Sequence, residues 1–154
     1  MNRRDFSALL PMLMAAPALA PLAKAPAGSQ TAATAASLPK LKSGQFVPGA
    51  ASGNQRPVRT SHRFLMGMVP DNIRLESHFT ELAPGAPPEP IEHHKHTEMW
   101  FIHEGTATLM TSGTTRTLKA GDMGLCVAGD DHYISNASKT ERASYFVVSV
   151  GPPE

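Results

Sequence analysis

The most informative segment of this chain is Pro84-Gly-Ala-Pro-Pro-Glu-Pro-Ile-Glu-His-His-Lys-His-Thr-Glu-Met-Trp-Phe-Ile-His-Glu-Gly105. It holds four of the seven histidines in the chain. Imidazole and carboxylate groups are the ligands that divalent transition metals take in open, reactive sites. Because side chains alternate along a strand, four of them would face the same way in extended chain: Glu92, His94, His96 and Glu98. The segment therefore predicts most of the coordination shell of a metal.

The length and composition of the chain fit one globular domain with a tail. The chain has 154 residues, of which 41% are hydrophobic and only 18% are charged, and its 12 glycines and 14 prolines favour turns and strands over long helices. A net charge of +1 without a basic cluster excludes nucleic acid as an expected partner. The single cysteine, Cys126, excludes an internal disulfide, and its apolar neighbours predict a buried, inert thiol.

Residues 1–27 are predicted to be an export signal. Arg3 and Arg4 precede a short apolar stretch, and Ala25-Pro26-Ala27 offers small residues for cleavage. The paired arginines resemble the twin-arginine signal of bacteria, so we expect a periplasmic or secreted protein. The apolar stretch is too short and too rich in proline to span a bilayer, and no integral membrane span is expected.

Residues 28–59 are interpreted as a flexible linker or a loosely attached arm. They are rich in Ala, Ser, Thr, Gly and Pro and follow neither the helix period nor the strand period. Phe46 and Val47 are two apolar residues among polar ones, and we expect them to pair as an edge strand because they need cover.

The rest of the chain, residues 60–154, has the pattern of an all-β domain. Residues 73–82 alternate, with Ile73, Leu75 and Phe79 on one face and the even-numbered residues on the other. Ser112-Gly113 indicates a hairpin. Short strands separated by turns every 8–12 residues are typical of a β-sandwich or barrel.

A second segment resembles part of a known family when it is read with the first. Gly121, Gly129, His132 and Asn136 stand at the spacings of the second cupin motif, with Val127 where proline is usual. Taken alone, His132 would be interpreted as a histidine with a structural role. The two motifs together make the chain similar to the cupin family over residues 62–150.

The first cupin motif is matched with two departures. Glu98 and Gly105 have the usual six residues between them, and three residues separate His94 from Glu98, as is usual for the second histidine of the motif. Glu92 occupies the position where the first histidine is usual. In the motif, five residues separate the preceding glycine from the first histidine position. Here six residues separate Gly85 from Glu92.

The resemblance implies a double-stranded β-helix, or jelly-roll barrel, with a divalent metal inside. Carried over to this chain, the ligands are His94, Glu98 and His132, and the fourth position is open. Glu92 could supply an oxygen, a bulge could bring in His93, and His96 has the correct parity either to ligate or to lie behind a ligand. Three histidines and one glutamate suit Fe, Mn, Ni, Cu or Zn, and two carboxylates favour Mn or Fe.

Three further residues lie in or near the first segment, and each is expected to have an ordinary structural role. Trp100 shares the parity of Glu98 and is expected in the core. His78 could reach the cavity as a proton shuttle, but we expect an exposed histidine. His103 has the opposite parity and is expected on the surface.

Three functions fit these observations. The first is an exported metal-binding cupin that acts as an oxygenase, isomerase or lyase on a small molecule, with Glu92 or His96 as general base if it is not a ligand. The second is a non-catalytic cupin that binds a sugar or a carboxylate. The third is a structural barrel with a vestigial site. A homodimer is expected from the resemblance alone.

Overall fold

The computed structural model describes residues 38–53 and 57–154. The predicted export signal and the first part of the predicted linker lie outside the described residues. The described part is all-β, with strands β1 Ala51–Ser52, β2 Arg59–Val69, β3 Ile73–Leu82, β4 Glu92–His93, β5 Thr97–Glu104, β6 Thr106–Thr111, β7 Thr114–Lys119, β8 Met123–Cys126, β9 Asp131–Asn136 and β10 Ala143–Gly151.

The strands form two antiparallel sheets. One has the order β1-β2-β3-β10-β5-β8, and the other has the order β4-β9-β6-β7. Neighbouring strands within each sheet are mostly distant in sequence, since β10 lies between β3 and β5 and β9 lies between β4 and β6. This crossing between sheets is the jelly-roll arrangement that the sequence predicts.

The hydrophobic core lies between the two sheets. Trp100 and Ile102 of β5 and Tyr145 and Val147 of β10 come from the larger sheet, and Ile134 of β9 comes from the smaller one. Trp100 is 2% exposed, which confirms its predicted core position. Along β5 the even-numbered side chains therefore point inward, and Glu98 has the same parity as Trp100.

The inner face of β3 is the polar one. Glu76, Thr80 and Leu82 are buried, and the side chain of His78 is 25% exposed. The prediction that His78 is an exposed histidine is therefore wrong, because its strand turns the even-numbered residues toward the interior. The apolar residues of the other face, such as Phe79, pack on the outside of the sheet, where Phe79 lies 4.9 Å from Phe146 between ring centroids.

Two turns show why the motif residues are needed. Gly105 has a φ of +69°, and a Cβ on it would lie 2.1 Å from the carbonyl oxygen of Arg142, so only glycine fits there. The Asn136 side chain donates to the carbonyl oxygens of Ala83 and Glu141 and accepts from the backbone N–H of Ser138. Asn136 therefore ties β9 to two loops.

The described part of the predicted linker is attached to the barrel in a different way from that expected. Phe46 and Val47 form no strand and are exposed, which corrects the predicted edge strand. The pairing instead lies at β1, where Ala51 is opposite His62. Met68 also exchanges backbone hydrogen bonds with Pro39 and Leu41. Among the residues that the structure describes, no helix is both long and apolar enough to cross a membrane.

Candidate metal centre

Three strands from both sheets bring the two histidine-bearing segments together. Glu92 of β4 is directly opposite His132 of β9 in an antiparallel pair. Glu98 of β5 belongs to the other sheet, where it is paired with Cys126 and Ser149. The Glu98 Oε2 and His132 Nε2 atoms are 3.0 Å apart, so the two segments meet between the sheets.

The Glu98 carboxylate lies at the centre of this cluster. Its Oε1 lies 3.2 Å from His96 Nε2 and accepts a 2.8 Å hydrogen bond from the Ser149 hydroxyl. Burial alone would raise the pKa of Glu98, but the hydrogen bonds from His132, His96 and Ser149 outweigh burial and lower the pKa. Glu98 is therefore an ionised, preorganised carboxylate inside the barrel.

His94 completes the cluster from the loop between β4 and β5. Its Nε2 lies 3.1 Å from Glu92 Oε2, and the hydrogen bond to Glu92 raises the pKa of His94. Donor atoms of Glu92, His94 and His132 all lie within 4.8 Å of one another. Burial lowers the pKa of His132, but its hydrogen bond to Glu98 outweighs burial and raises the pKa.

This set of donors fits a divalent transition metal. Donor atoms of Glu92, His94 and His132 converge, and the Glu98 carboxylate adjoins them through His132, 3.0 Å from its Nε2 atom. Imidazoles and carboxylates are ligands that a divalent transition metal takes. The residues that would hold it are Glu92, His94, Glu98 and His132, with His96 next to Glu98.

The remaining histidines of the first segment lie elsewhere. His93 Nδ1 points toward Asp131 Oδ1, 3.3 Å away, and its side chain is 65% exposed. The alternative in which a bulge brings His93 into the site is therefore not realised. His103 lies on the surface, as expected, with Nδ1 3.1 Å from the Ser144 hydroxyl.

Glu154 joins the site from the segment after β10, although it was not among the predicted site residues. One of its carboxylate oxygens is 3.6 Å from His94 Nδ1, and the other is 3.4 Å from His96 Nδ1. It also accepts a hydrogen bond from the backbone N–H of Lys95. No local spacing in the sequence links Glu154 to these histidines.

A buried arginine lies deeper in the barrel and was also missed. Arg59 is 7% exposed and donates to the Tyr145 hydroxyl at 2.6 Å and to the Ile134 carbonyl at 3.0 Å. It also lies 2.9 Å from Glu89 Oε1. Burial raises the pKa of Glu89 to about 7, although the positive charge of Arg59 opposes this.

Glu89 lies beside the strand that carries His132, because its backbone N–H donates to the Ile134 carbonyl oxygen at 3.4 Å. The charges of Glu92 and Glu98 also raise the pKa of Glu89, and the charge of His132 lowers it. A carboxyl group with a pKa close to neutrality is suited to proton transfer.

Glu76 of β3 is the centre of an ion-pair cluster. It pairs with Arg63 of β2 at 3.1 Å, whose side chain is 55% exposed, and with Arg74. Burial lowers the pKa of His78, although the charges of Glu76 and Glu98 act in the opposite direction.

These features agree with what is found when the chain is compared with known families. Residues 78–149 match the family described as "Cupin domain". The match begins within β3 and ends within β10, and it includes every predicted ligand. Together with the fold, it supports a member of the cupin family. No match was found among curated proteins.

Solved structures share this fold at low sequence identity. A conserved protein of unknown function from Streptococcus pyogenes has a TM-score of 0.54 at 17% identity, over 65% of this chain and 80% of that one. KdgF from a Halomonas species has a TM-score of 0.54 at 14% identity, over 68% and 88%. The cupin domain of Cnp3 from Schizosaccharomyces pombe has a TM-score of 0.53 at 16% identity, over 64% and 68%. Identities this low establish the shared fold alone.

Proposed function

We propose that this protein is a metal-binding cupin that acts as a metal-dependent enzyme on a small molecule. The observation that supports it most is the Glu98 carboxylate, which lies between His96 and His132 and across from the Glu92–His94 pair. A barrel kept only for its shape would have no reason to bury an ionised carboxylate among three imidazoles, since burying charge is costly.

The ligand set is Glu92, His94, Glu98 and His132. Two carboxylates among four ligands favour Mn or Fe over softer ions, with Ni, Cu and Zn as alternatives that imidazole also suits. When bound, such an ion polarises an oxygen of the substrate or activates water or O₂. The chain supplies the remaining functions: orientation, exclusion of water and proton transfer.

Two residues are candidates for proton transfer in this site. Of the two general bases expected from the sequence, Glu92 is assigned to the ligand set, which leaves His96. Glu89 is the other candidate, because burial raises its pKa to about 7 and Arg59 pairs with one of its oxygens.

Metal analysis tests this function. The purified protein is expected to contain close to one ion of Mn or Fe per chain, and addition of that ion to the EDTA-treated protein should raise the melting temperature. A metal content near zero after growth in varied metal supply, with a melting temperature unchanged by Mn, Fe, Ni or Zn, would overturn the proposal. A substrate screen in air and without oxygen then separates an enzyme from a cupin that only binds a sugar or carboxylate.

We also propose that the protein is a homodimer that pairs through the outer face of β5 and β8. This face exposes large apolar side chains of β5, of the edge strand β8 and of the residue after it: Phe101, Met123, Leu125 and Val127. Such a patch with an open strand edge is a typical self-association surface. Leu125→Glu should produce a monomer in light scattering, whereas Ile91→Glu, which changes a more exposed apolar residue outside this face, should not.

Export through the twin-arginine pathway remains a proposal based on Arg3 and Arg4. Substitution of both by lysine is expected to keep a tagged protein in the cytoplasm of a bacterial host, and unchanged export of that variant would contradict it.

A further inference from the structure

We propose that Glu154 is a positioning residue that holds the imidazoles of His94 and His96 from behind and so tunes the affinity of the metal centre. The inference rests on the proposed metal-binding function and extends it to a residue outside the cupin motifs. It concerns a carboxylate that acts through the histidines and does not itself ligate the ion.

In each of these two histidines, the two ring nitrogens face different carboxylates. The Nε2 atom of His94 faces Glu92, and that of His96 faces Glu98, so both Nε2 atoms point into the cluster. Both Nδ1 atoms point the other way, to the two oxygens of Glu154, at 3.6 Å and 3.4 Å. The rings are stacked with centroids 4.5 Å apart, which allows one carboxylate to reach both.

A ring nitrogen of His96 needs this partner. His96 is 6% exposed, and within residues 38–53 and 57–154 its Nδ1 has no hydrogen-bond partner of good geometry. Glu154 Oε1 lies 3.4 Å from this nitrogen. A buried polar group without a hydrogen-bond partner is costly, and the neighbouring carboxylate is suited to accept from an Nδ1–H.

Glu154 is itself held in place at this point. The backbone N–H of Lys95, which lies between the two histidines, donates to Glu154 Oε1. The carboxylate is therefore fixed relative to the same loop that supplies the histidines. Histidine ligands commonly donate their second N–H to a carboxylate, which fixes the tautomer and raises the basicity of the ligating nitrogen.

The test compares Glu154→Gln with the matched control Glu104→Gln, which neutralises an exposed carboxylate on β5. Co²⁺ affinity is measured by competition with a chelator on the full chain after EDTA treatment. Loss of the charge at residue 154 should weaken Co²⁺ binding about 10- to 100-fold, as is typical for such outer carboxylates. The control should bind as the wild type does.

A second readout detects the N–H group itself. In the Co²⁺-loaded wild type, NMR should show hyperfine-shifted ring N–H protons that exchange slowly with water, and Glu154→Ala should speed that exchange. A purely structural role would change the melting temperature of the metal-free protein without changing these signals.

Three outcomes would overturn the inference. Equal affinity and equal N–H exchange in the Glu154 variants would remove the positioning role while leaving the proposed function intact. A second Co²⁺ ion per chain that disappears in Glu154→Gln would make Glu154 a direct ligand of a separate site. A wild-type chain that binds no ion would remove the inference and the proposed function together.

Discussion

His132 Nε2 lies 3.0 Å from Glu98 Oε2, although the two residues belong to different sheets. This contact closes the space between the sheets at the end where β4 and β5 begin. His132 is also the residue opposite Glu92 in the β4–β9 pair. This one histidine therefore lies next to both carboxylate-bearing residues, Glu92 and Glu98. The candidate centre therefore depends on the packing of the two sheets as much as on the histidine-rich segment.

Loss of either central ligand should remove the metal without unfolding the barrel. Glu98→Ala deletes the carboxylate between two imidazoles, and His94→Ala deletes the partner of Glu92. Each is expected to lower metal affinity by about 100-fold or more, since each removes a direct ligand. Plasma emission analysis of the purified variants, with circular dichroism as a check on the fold, measures this.

The matched control for these ligand variants is His103→Ala, which removes a surface histidine of the same segment. It should retain the wild-type amount of metal. If Glu98→Ala or His94→Ala also held metal at wild-type stoichiometry, the ligand assignment would be wrong.

The pH dependence of stability should reveal Glu89 in the metal-free protein. Its pKa is raised to about 7 by burial, above the ordinary value, so the folded state keeps this proton to higher pH than the unfolded state does. Stability from this group is present below about pH 4.5 and is lost as pH rises through 7. The free energy of unfolding should therefore fall between pH 5 and pH 8.

Glu89→Gln mimics the protonated acid and isolates this contribution. The fall in unfolding free energy should be smaller in the variant by roughly 3 kcal/mol at most, measured by urea denaturation at each pH. The raised pKa values of His94 and His132 act in the same direction, but they are present in both proteins and cancel. Identical pH profiles for the variant and the wild type would show that Glu89 ionises normally.

Gly105 should tolerate substitution by alanine far less well than Gly113, a turn glycine with a similar φ. Gly105→Ala places a Cβ 2.1 Å from the Arg142 carbonyl oxygen at a φ of +69°, so the backbone must move. Gly113→Ala has a similar φ of +74° but meets nothing within 4 Å. We expect a loss of about 1 kcal/mol for Gly113→Ala from the left-handed conformation alone and at least about 2 kcal/mol more for Gly105→Ala.

Chemical denaturation measures both glycine variants under the same conditions. The difference between them reports the steric contact, because the conformational cost is common to both. Equal losses would mean that the loop at Arg142 moves aside without cost.

The two cupin motifs predicted the fold because they specify turns and short strands locally. Gly105 and Asn136 do this through a positive φ and through side-chain hydrogen bonds to nearby loops. The alternation over residues 73–82 predicted β3 correctly but could not indicate which face turns inward. The polar face does so because it lines the interior, whereas the apolar face packs on the outside of the sheet.

Long-range partners could not be predicted from spacing. Arg59 was placed in a linker because its neighbours are polar, yet it begins β2 and is buried. Glu154 follows the last strand and meets the histidines only after the chain has folded. Glu92 occupies the position where the first motif usually has a histidine, and its carboxylate lies against His94. Metal binding by these residues stays a prediction.

The last prediction concerns Arg59, which joins three parts of the interior. Its guanidinium contacts the Tyr145 hydroxyl, the Ile134 carbonyl and Glu89. A lysine cannot make all three contacts, because it presents one ammonium group in place of a planar fork. Arg59→Lys should therefore destabilise the protein by about 2 kcal/mol, since it leaves buried partners unsatisfied.

The control for this substitution is Arg142→Lys, which changes an arginine that is 66% exposed and makes one contact with Glu81 at 3.4 Å. Its effect should stay within about 0.5 kcal/mol, as for most surface ion pairs. Urea denaturation at pH 7 compares the two. Equal stability of the two variants would mean that the interior of the barrel rearranges around a lysine, and that Glu89 does not depend on Arg59 for its position.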